Sequence, residues 1–170
     1  MATKTESAPA GTADVVRGYF DALARLDLEG AGDHWAPGGM DRLHGLADLR
    51  APDDVRDYFA TLFAAFPDFR FEVISMAAEG ELAAVRWRLR ATFAGPGRFQ
   101  GFAPNGATVD LEGCDMLTVR DGLIQENHAY TNAADLARQL GALPPAGSVQ
   151  ERALTAMVNA RTRIAGLLRR

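Results

Sequence analysis

The stretch Thr108–Tyr130, TVDLEGCDMLTVRDGLIQENHAY, decides the fold. Its apolar residues run at the two-residue period of strands, as Thr108–Val119 and Leu123–Tyr130. Between them, Asp121-Gly122 tolerates the positive φ of a tight hairpin turn. Working outward toward the N-terminus, Phe69–Ala77 and Leu82–Phe93 read as two further strands, joined at Glu79-Gly80. A loop rich in Gly and Pro separates Leu82–Phe93 from the quoted stretch. Four strands in sequence, linked by turns, predict an antiparallel meander.

Before residue 67 the period is helical. Val15, Val16, Tyr19, Phe20, Leu23 and Leu26 recur at three- and four-residue spacing from Thr12, which is placed to cap that helix. Gly30 and Gly32 are expected to break it. A short helical piece around Asp33–Trp35 stops at Pro37-Gly38-Gly39, and Met40–Leu46 reads as extended. Pro52-Asp53-Asp54 opens a second helix with Val55, Tyr58, Phe59, Leu62, Phe63 and Phe66 on one stripe, ended by Pro67. After the strands, Asn132 and Asp135 resemble a capping pair opening a closing helix through Leu140. Helices first, then a meander, then a closing helix argue α+β: a curved sheet wrapped on a helical layer.

Residues 1–11, polar and Ala/Pro-rich, read as a flexible leader without an export signal, 12–145 as the domain, and 146–170 as an amphipathic helical extension. In that extension Leu154, Met157, Val158, Ile164, Leu167 and Leu168 form a ragged stripe beside Arg161, Arg163, Arg169 and Arg170. It is read as a helix packed on the domain or on a second copy, with membrane-surface binding as the alternative.

The bulk numbers limit the function. In 170 residues, 48% of them apolar, there is enough for one full core. A formal net charge of −4 gives no basic footprint for nucleic acid. The single Cys114 cannot close an internal disulfide, and no Cys/His cluster has metal-ligand spacing. No run of apolar residues is long enough to span a membrane. A cytoplasmic protein without metal or cofactor is expected.

Five segments together resemble the SnoaL-like polyketide cyclases, a branch of the superfamily named after nuclear transport factor 2. They are Ala65–Phe71 (AFPDFRF), Ala84–Trp87 (AVRW), Gly101–Gly106 (GFAPNG), Val119–Ile124 (VRDGLI) and Ala137–Gly141 (ARQLG). The resemblance covers residues 12–145. It implies a cone-shaped fold with helices over the concave face of the sheet and a pocket between the layers. The superfamily hosts cyclases, isomerases, dehydratases, epoxide hydrolases and binding modules, so the fold does not name the reaction.

What the resemblance implies about residues starts at Asp115. Counted back from Asp121-Gly122, it matches a pocket histidine of the cyclases and an oxyanion-holding aspartate of the ketosteroid isomerases. Its neighbours Cys114, Met116, Leu117 and Val119 are apolar, so a buried carboxyl there has its pKa raised and can donate to an enolate. A structural pairing of Asp115 with an arginine is the alternative.

Arg86, Arg88 and Arg90 share one strand face. Alignment with the epoxide-hydrolase branch favours the concave side for that face, where Arg86 and Arg88 clamp a substrate anion or hold Asp115; on the convex side they are a solvated stripe. Val85, Trp87, Leu89 and Ala91 then form an outer apolar stripe that a homodimer buries. His44 lies near where relatives carry a pocket Asp, Asn or His, and as a neutral imidazole it can serve as general base. A one-residue slip beside Gly45 turns it outward. Tyr19 and Trp35 are candidate pocket walls, and Asn127 the inward neighbour on the last strand. The family's acid/base aspartate, eight residues after the Asp121 position, is replaced by Ala129.

The resulting expectation is a cyclase-type enzyme acting next to a carbonyl of a polycyclic or aromatic small molecule. A non-catalytic small-molecule-binding module is the alternative, and an epoxide hydrolase the third reading.

Overall fold

The computed structural model describes residues 11–167. Helix α1 (Thr12–Ala24) buries Val15, Val16, Tyr19, Phe20 and Leu23, as their spacing requires. Thr12 is the first helical residue rather than the cap, a place taken by Gly11. Its hydroxyl donates to the Gly80 carbonyl at 2.7 Å. Helix α2 (Leu28–Asp33) includes the two glycines expected to end a helix. Asp27 caps it by accepting from the Gly30 amide at 2.9 Å. Gly32 sits against the Arg56 guanidinium, which a Cβ there would have to displace.

Strand β1 (Trp35–Leu43) follows, then β2 (Ala47–Arg50), which the sequence did not announce, and helix α3 (Asp53–Ala65). The meander is β3 (Arg70–Glu79), β4 (Leu82–Thr92), β5 (Thr108–Arg120) and β6 (Leu123–Thr131). At the β5–β6 turn Asp121 and Gly122 have φ of 52° and 75°, both in the left-handed region such a hairpin demands. Helix α4 (Ala133–Gln139) is capped by Asn132, whose side chain accepts from the Asp135 amide at 3.0 Å.

The six strands form one open sheet in the order β2-β1-β6-β5-β4-β3. β1 runs parallel to β6; the other neighbours are antiparallel. α1 packs across β3, β4, β5 and β6 and closes the concave face, while α4 covers part of β5. The core falls into two apolar clusters. One lies under α1 and includes Val85, Trp87, Leu117 and Ile124. The other lies beside the end of α3, around Phe66, Phe93, Phe99 and Leu111.

The faces of β4 correct one expectation. Val85, Trp87 and Ala91 are buried and Leu89 packs with them, whereas Arg86 and Arg90 are exposed. The apolar stripe expected on the outside is therefore core, and it supplies no surface for a homodimer.

Helix α5 (Val149–Leu167) stands apart from the body, with Leu154, Met157, Val158 and Ile164 exposed. It is tied at its start by Arg138 and Glu151, 3.0 Å apart. It does not pack on its own domain as the sequence reading allowed. Among the described residues no helix is long and apolar enough to cross a membrane. Residues 1–10, for which the sequence suggested a flexible leader, and Leu168, Arg169 and Arg170 lie outside the described residues.

Candidate active site

Alternation along β5 sends Val109, Leu111, Asp115, Leu117 and Val119 to the concave face. Asp115 is thus a carboxylate placed at a core position, 5% exposed. Its Oδ1 accepts from the Trp87 indole Nε1 at 2.7 Å, and its Oδ2 from Asn127 Nδ2 at 2.9 Å. The indole reaches it because Gly113, opposite Trp87 in the β4–β5 register, has no side chain. A Cβ there would lie far inside van der Waals contact with Cζ2 of the ring.

The Asn127 amide also donates to a second buried carboxyl, Oδ1 of Asp41 on β1, at 2.9 Å. Asp41 and Asn127 face each other across the parallel β1–β6 pair, and both are fully buried. Asp41, Asp115 and Asn127 are the buried polar side chains of the described core, and they form one chain of hydrogen bonds.

Neither carboxyl keeps an ordinary acidity. Burial pushes Asp115 up, the Trp87 and Asn127 donors draw it back, and it settles at about 6. Burial, then the negative charge of Asp115, push Asp41 up to about 8 against one donor. Tyr19, packed close by, has its phenol raised well above the usual value by burial and by both aspartates.

Asp115 forms part of the wall of a cavity between the helices and the sheet. The rings of Tyr58, Phe59, Phe66, Phe71, Trp87 and Phe99 supply much of the rest. Thr131 and Tyr58 add hydroxyls. Burial pushes the Tyr58 phenol up to about 12, so it remains a neutral donor. Among the described residues no lysine, arginine or histidine lines this cavity. Among the described residues no three His, Cys, Asp or Glu side chains converge as metal ligands.

Several sequence-predicted site residues lie elsewhere. Arg86 and Arg88 are on the convex face. Arg86 Nη2 is 2.6 Å from Glu112 Oε2, and Arg88 Nη2 is 2.6 Å from Asp110 Oδ2. The reason is strand parity. Val85 pairs with Asp115, so the side chains inward with Asp115 are Val85, Trp87 and Leu89, and the arginines must point away. The arginine partner expected for Asp115 is replaced by an indole and an amide.

His44 is exposed on that same outer side. Its Nε2 sits 3.0 Å from His128 Nδ1, and its ring stacks on Tyr130 with centroids 4.5 Å apart. With Asp41 and Leu43 turned inward, the residue after Leu43 turns out. Tyr19 and Trp35 meet edge to face in the core, 5.7 Å between centroids, and lie behind the cavity instead of lining it. Asn127 is likewise behind the wall, holding Asp115 in place.

Ala129 lines the cavity and is the direct register partner of Asp115. Asp41 is the residue that sequence reasoning missed. The signal was the parity of Met40–Leu43, where Leu43 inward entails Asp41 inward. What made it a partner of Asp115, the parallel pairing of β1 with β6, leaves no local mark.

The family model for the SnoaL-like polyketide cyclases matches residues 13–140. No curated protein matches the chain significantly in sequence. Solved structures do resemble it. AclR from Streptomyces galilaeus, a candidate hydroxylase, is 26% identical with a TM-score of 0.68, the alignment covering 91% of this chain and 96% of AclR. IdmH from Streptomyces antibioticus, a candidate polyketide cyclase, is 26% identical with a TM-score of 0.64, covering 78% and 99%. A candidate SnoaL-like polyketide cyclase from Jannaschia sp. CCS1 shares the fold at 22% identity, with a TM-score of 0.70 over 84% of this chain and all of that one.

Proposed function

We propose that this chain, which belongs to the SnoaL-like polyketide cyclase family, is a cofactor-free cyclase that moves a proton next to a carbonyl of a neutral, aromatic or polycyclic small molecule. One observation carries the reading: the aromatic-walled cavity presents a single carboxyl, Asp115, whose pKa of about 6 leaves it a base at neutral pH.

In this mechanism the substrate's rings stack in the cavity, which excludes water and orients the reacting carbon over Asp115. The Asp115 carboxylate takes the proton α to the carbonyl and becomes a carboxylic acid. The electron pair of the broken C–H bond forms an enolate. The neutral Tyr58 phenol is the donor on the cavity wall suited to that oxygen. The enolate carbon then bonds to a second carbonyl carbon of the same molecule, and the new alkoxide recovers the proton from Asp115. The enzyme ends as it began.

A cavity lining without a cation among the described residues favours neutral ketones and esters over carboxylate substrates. An anion would enter an apolar space already facing a carboxylate, with nothing to pair it. This replaces the arginine clamp expected from the sequence.

A binding module is the second reading, favoured by Ala129 at the position where the family's acid/base aspartate is expected. Deuterium exchange separates the two. 2-Tetralone, a neutral bicyclic ketone, is incubated with the protein in D2O and its α-protons are followed by NMR. The enzyme reading expects exchange above the buffer rate, reduced at least ~10²-fold in Asp115→Asn with the fold retained. Saturable binding without accelerated exchange refutes the enzyme reading and supports the module.

A further inference from the structure

Two buried acceptor atoms behind Asp115 have no donor among the described residues: Oδ2 of Asp41 and Oδ1 of Asn127. They belong to residues that are direct partners across β1 and β6. The remaining atoms of the same two groups are already joined, Asn127 Nδ2 donating to Asp41 Oδ1 at 2.9 Å. A carboxylic acid and a primary amide have complementary edges, each with one donor beside one acceptor. With Asp41 ionised, half of that pairing is made and two acceptors stay bare in the core. One proton on Asp41 Oδ2 supplies the single donor that both lack.

We infer that Asp41 is a neutral carboxylic acid closed edge to edge on the Asn127 amide, and that this pairing is what points the amide's second hydrogen at Asp115. Reversed, the amide would set an oxygen against the Asp115 carboxylate. Asp41 is thus a positioning residue. Its proton locks Asn127, and Asn127 together with Trp87 keeps Asp115 in the ionised form that can accept a proton.

The surroundings agree. The titratable groups that bear on Asp41 are Tyr19 from α1, Tyr58 from α3 and Asp115 from β5, with the neutral amide of Asn127 on β6 and apolar Leu49 opposite on β2. Both phenols are raised by burial and stay neutral, and no cation among the described residues contributes to the acidity of Asp41. The one charge beside it is negative, which favours keeping the proton.

The base role of Asp115 is taken from the reading above, whereas the protonation of Asp41 stands without it, and the experiment reads them apart. The full chain is labelled with ¹³C at the aspartate carboxyls and titrated by NMR, wild type beside Asp41→Asn. Asparagine at this position keeps the donor-and-acceptor edge toward Asn127 with no proton to lose. The expected wild-type spectrum at pH 6.5 contains one carboxyl still protonated, missing from Asp41→Asn, while the Asp115 midpoint moves by less than ~0.5 unit between the two proteins.

Melting temperature gives an independent readout. A folded pKa raised above the unfolded ~3.9 means that the folded state holds the extra proton between the two values, so stability falls as pH rises through that window. Asp41→Asn is expected to melt higher than wild type at pH 8 and to show a flatter dependence between pH 5 and 8. An Asp41 carboxyl already ionised at pH 5 overturns the inference, as does an Asp115 midpoint that drops by a unit or more in Asp41→Asn. If Asp41→Asn does not fold, the wild-type titration, assigned through Asp115→Asn, decides the question alone. Failure of 2-tetralone exchange bears on the role of Asp115 and leaves this result untouched.

Discussion

Replacing Trp87 by Phe tests the electrostatics of the site through a single atom. Phenylalanine fills most of the indole's place against Gly113 but removes Nε1, the donor 2.7 Å from Asp115 Oδ1. A hydrogen bond to an ionised group contributes roughly 1.5–3 kcal/mol, and one pKa unit corresponds to about 1.4 kcal/mol, so losing the bond raises Asp115 by roughly 1–2 units. From about 6, the midpoint moves to ~7–8 on that estimate.

The sign for stability follows from the raised pKa. Below about pH 4 folded and unfolded chains both carry the proton, and as pH rises through the folded pKa the fold loses stability. In Trp87→Phe this loss continues to higher pH. The two proteins therefore differ at pH 5 by packing alone, and at pH 8.5 by packing plus the lost charge-assisted bond, an additional ~1.5–3 kcal/mol. Urea unfolding of both proteins at the two pH values yields the double difference, in which packing cancels. Equal destabilisation at pH 5 and 8.5, with an unmoved Asp115 midpoint by ¹³C NMR, would refute the claim that the indole holds this carboxylate.

Gly113→Ala drives a methyl into the same indole. It should destabilise by ~1–3 kcal/mol through overpacking and shift Asp115 upward like Trp87→Phe, as chemical denaturation and NMR would show. His44→Ala should leave 2-tetralone exchange within twofold of wild type, because the imidazole lies on the face opposite the cavity; a loss of tenfold or more contradicts that placement. Arg86→Ala and Arg88→Ala remove solvent-exposed cross-strand ion pairs. Their effect on melting temperature should be small and fade with added salt, and the acidity of Asp115 should not respond.

Much of the fold was open to a reader of the sequence because it is written in local chemistry. The stripe from Val15 to Leu23, Pro52 before α3, Asp121-Gly122 between β5 and β6, and Asn132 before α4 each act within a few residues. Strand β2 escaped notice because four residues after a turn carry too little pattern. Helix α2 was misplaced because its glycines lie inside it, Gly30 held by the Asp27 cap and Gly32 against Arg56.

The site divides differently. Sequence alone determined that a carboxylate sits among apolar residues at position 115, since the strand and its hairpin anchor are local. Which face of β4 looked inward was decided by the register of β4 on β5, a contact between strands that the chain does not encode at either one alone. That register sent the arginines to Asp110 and Glu112, and gave Asp115 an indole. Asp41 became a partner only because β1, whose Asp41 lies 86 residues before Asn127, runs parallel against β6 and so shares Asn127 with Asp115. Burial and hydrogen bonding set the acidity of both groups, and both are properties of the assembled core: a carboxyl has no shifted pKa until the tertiary structure takes its water away.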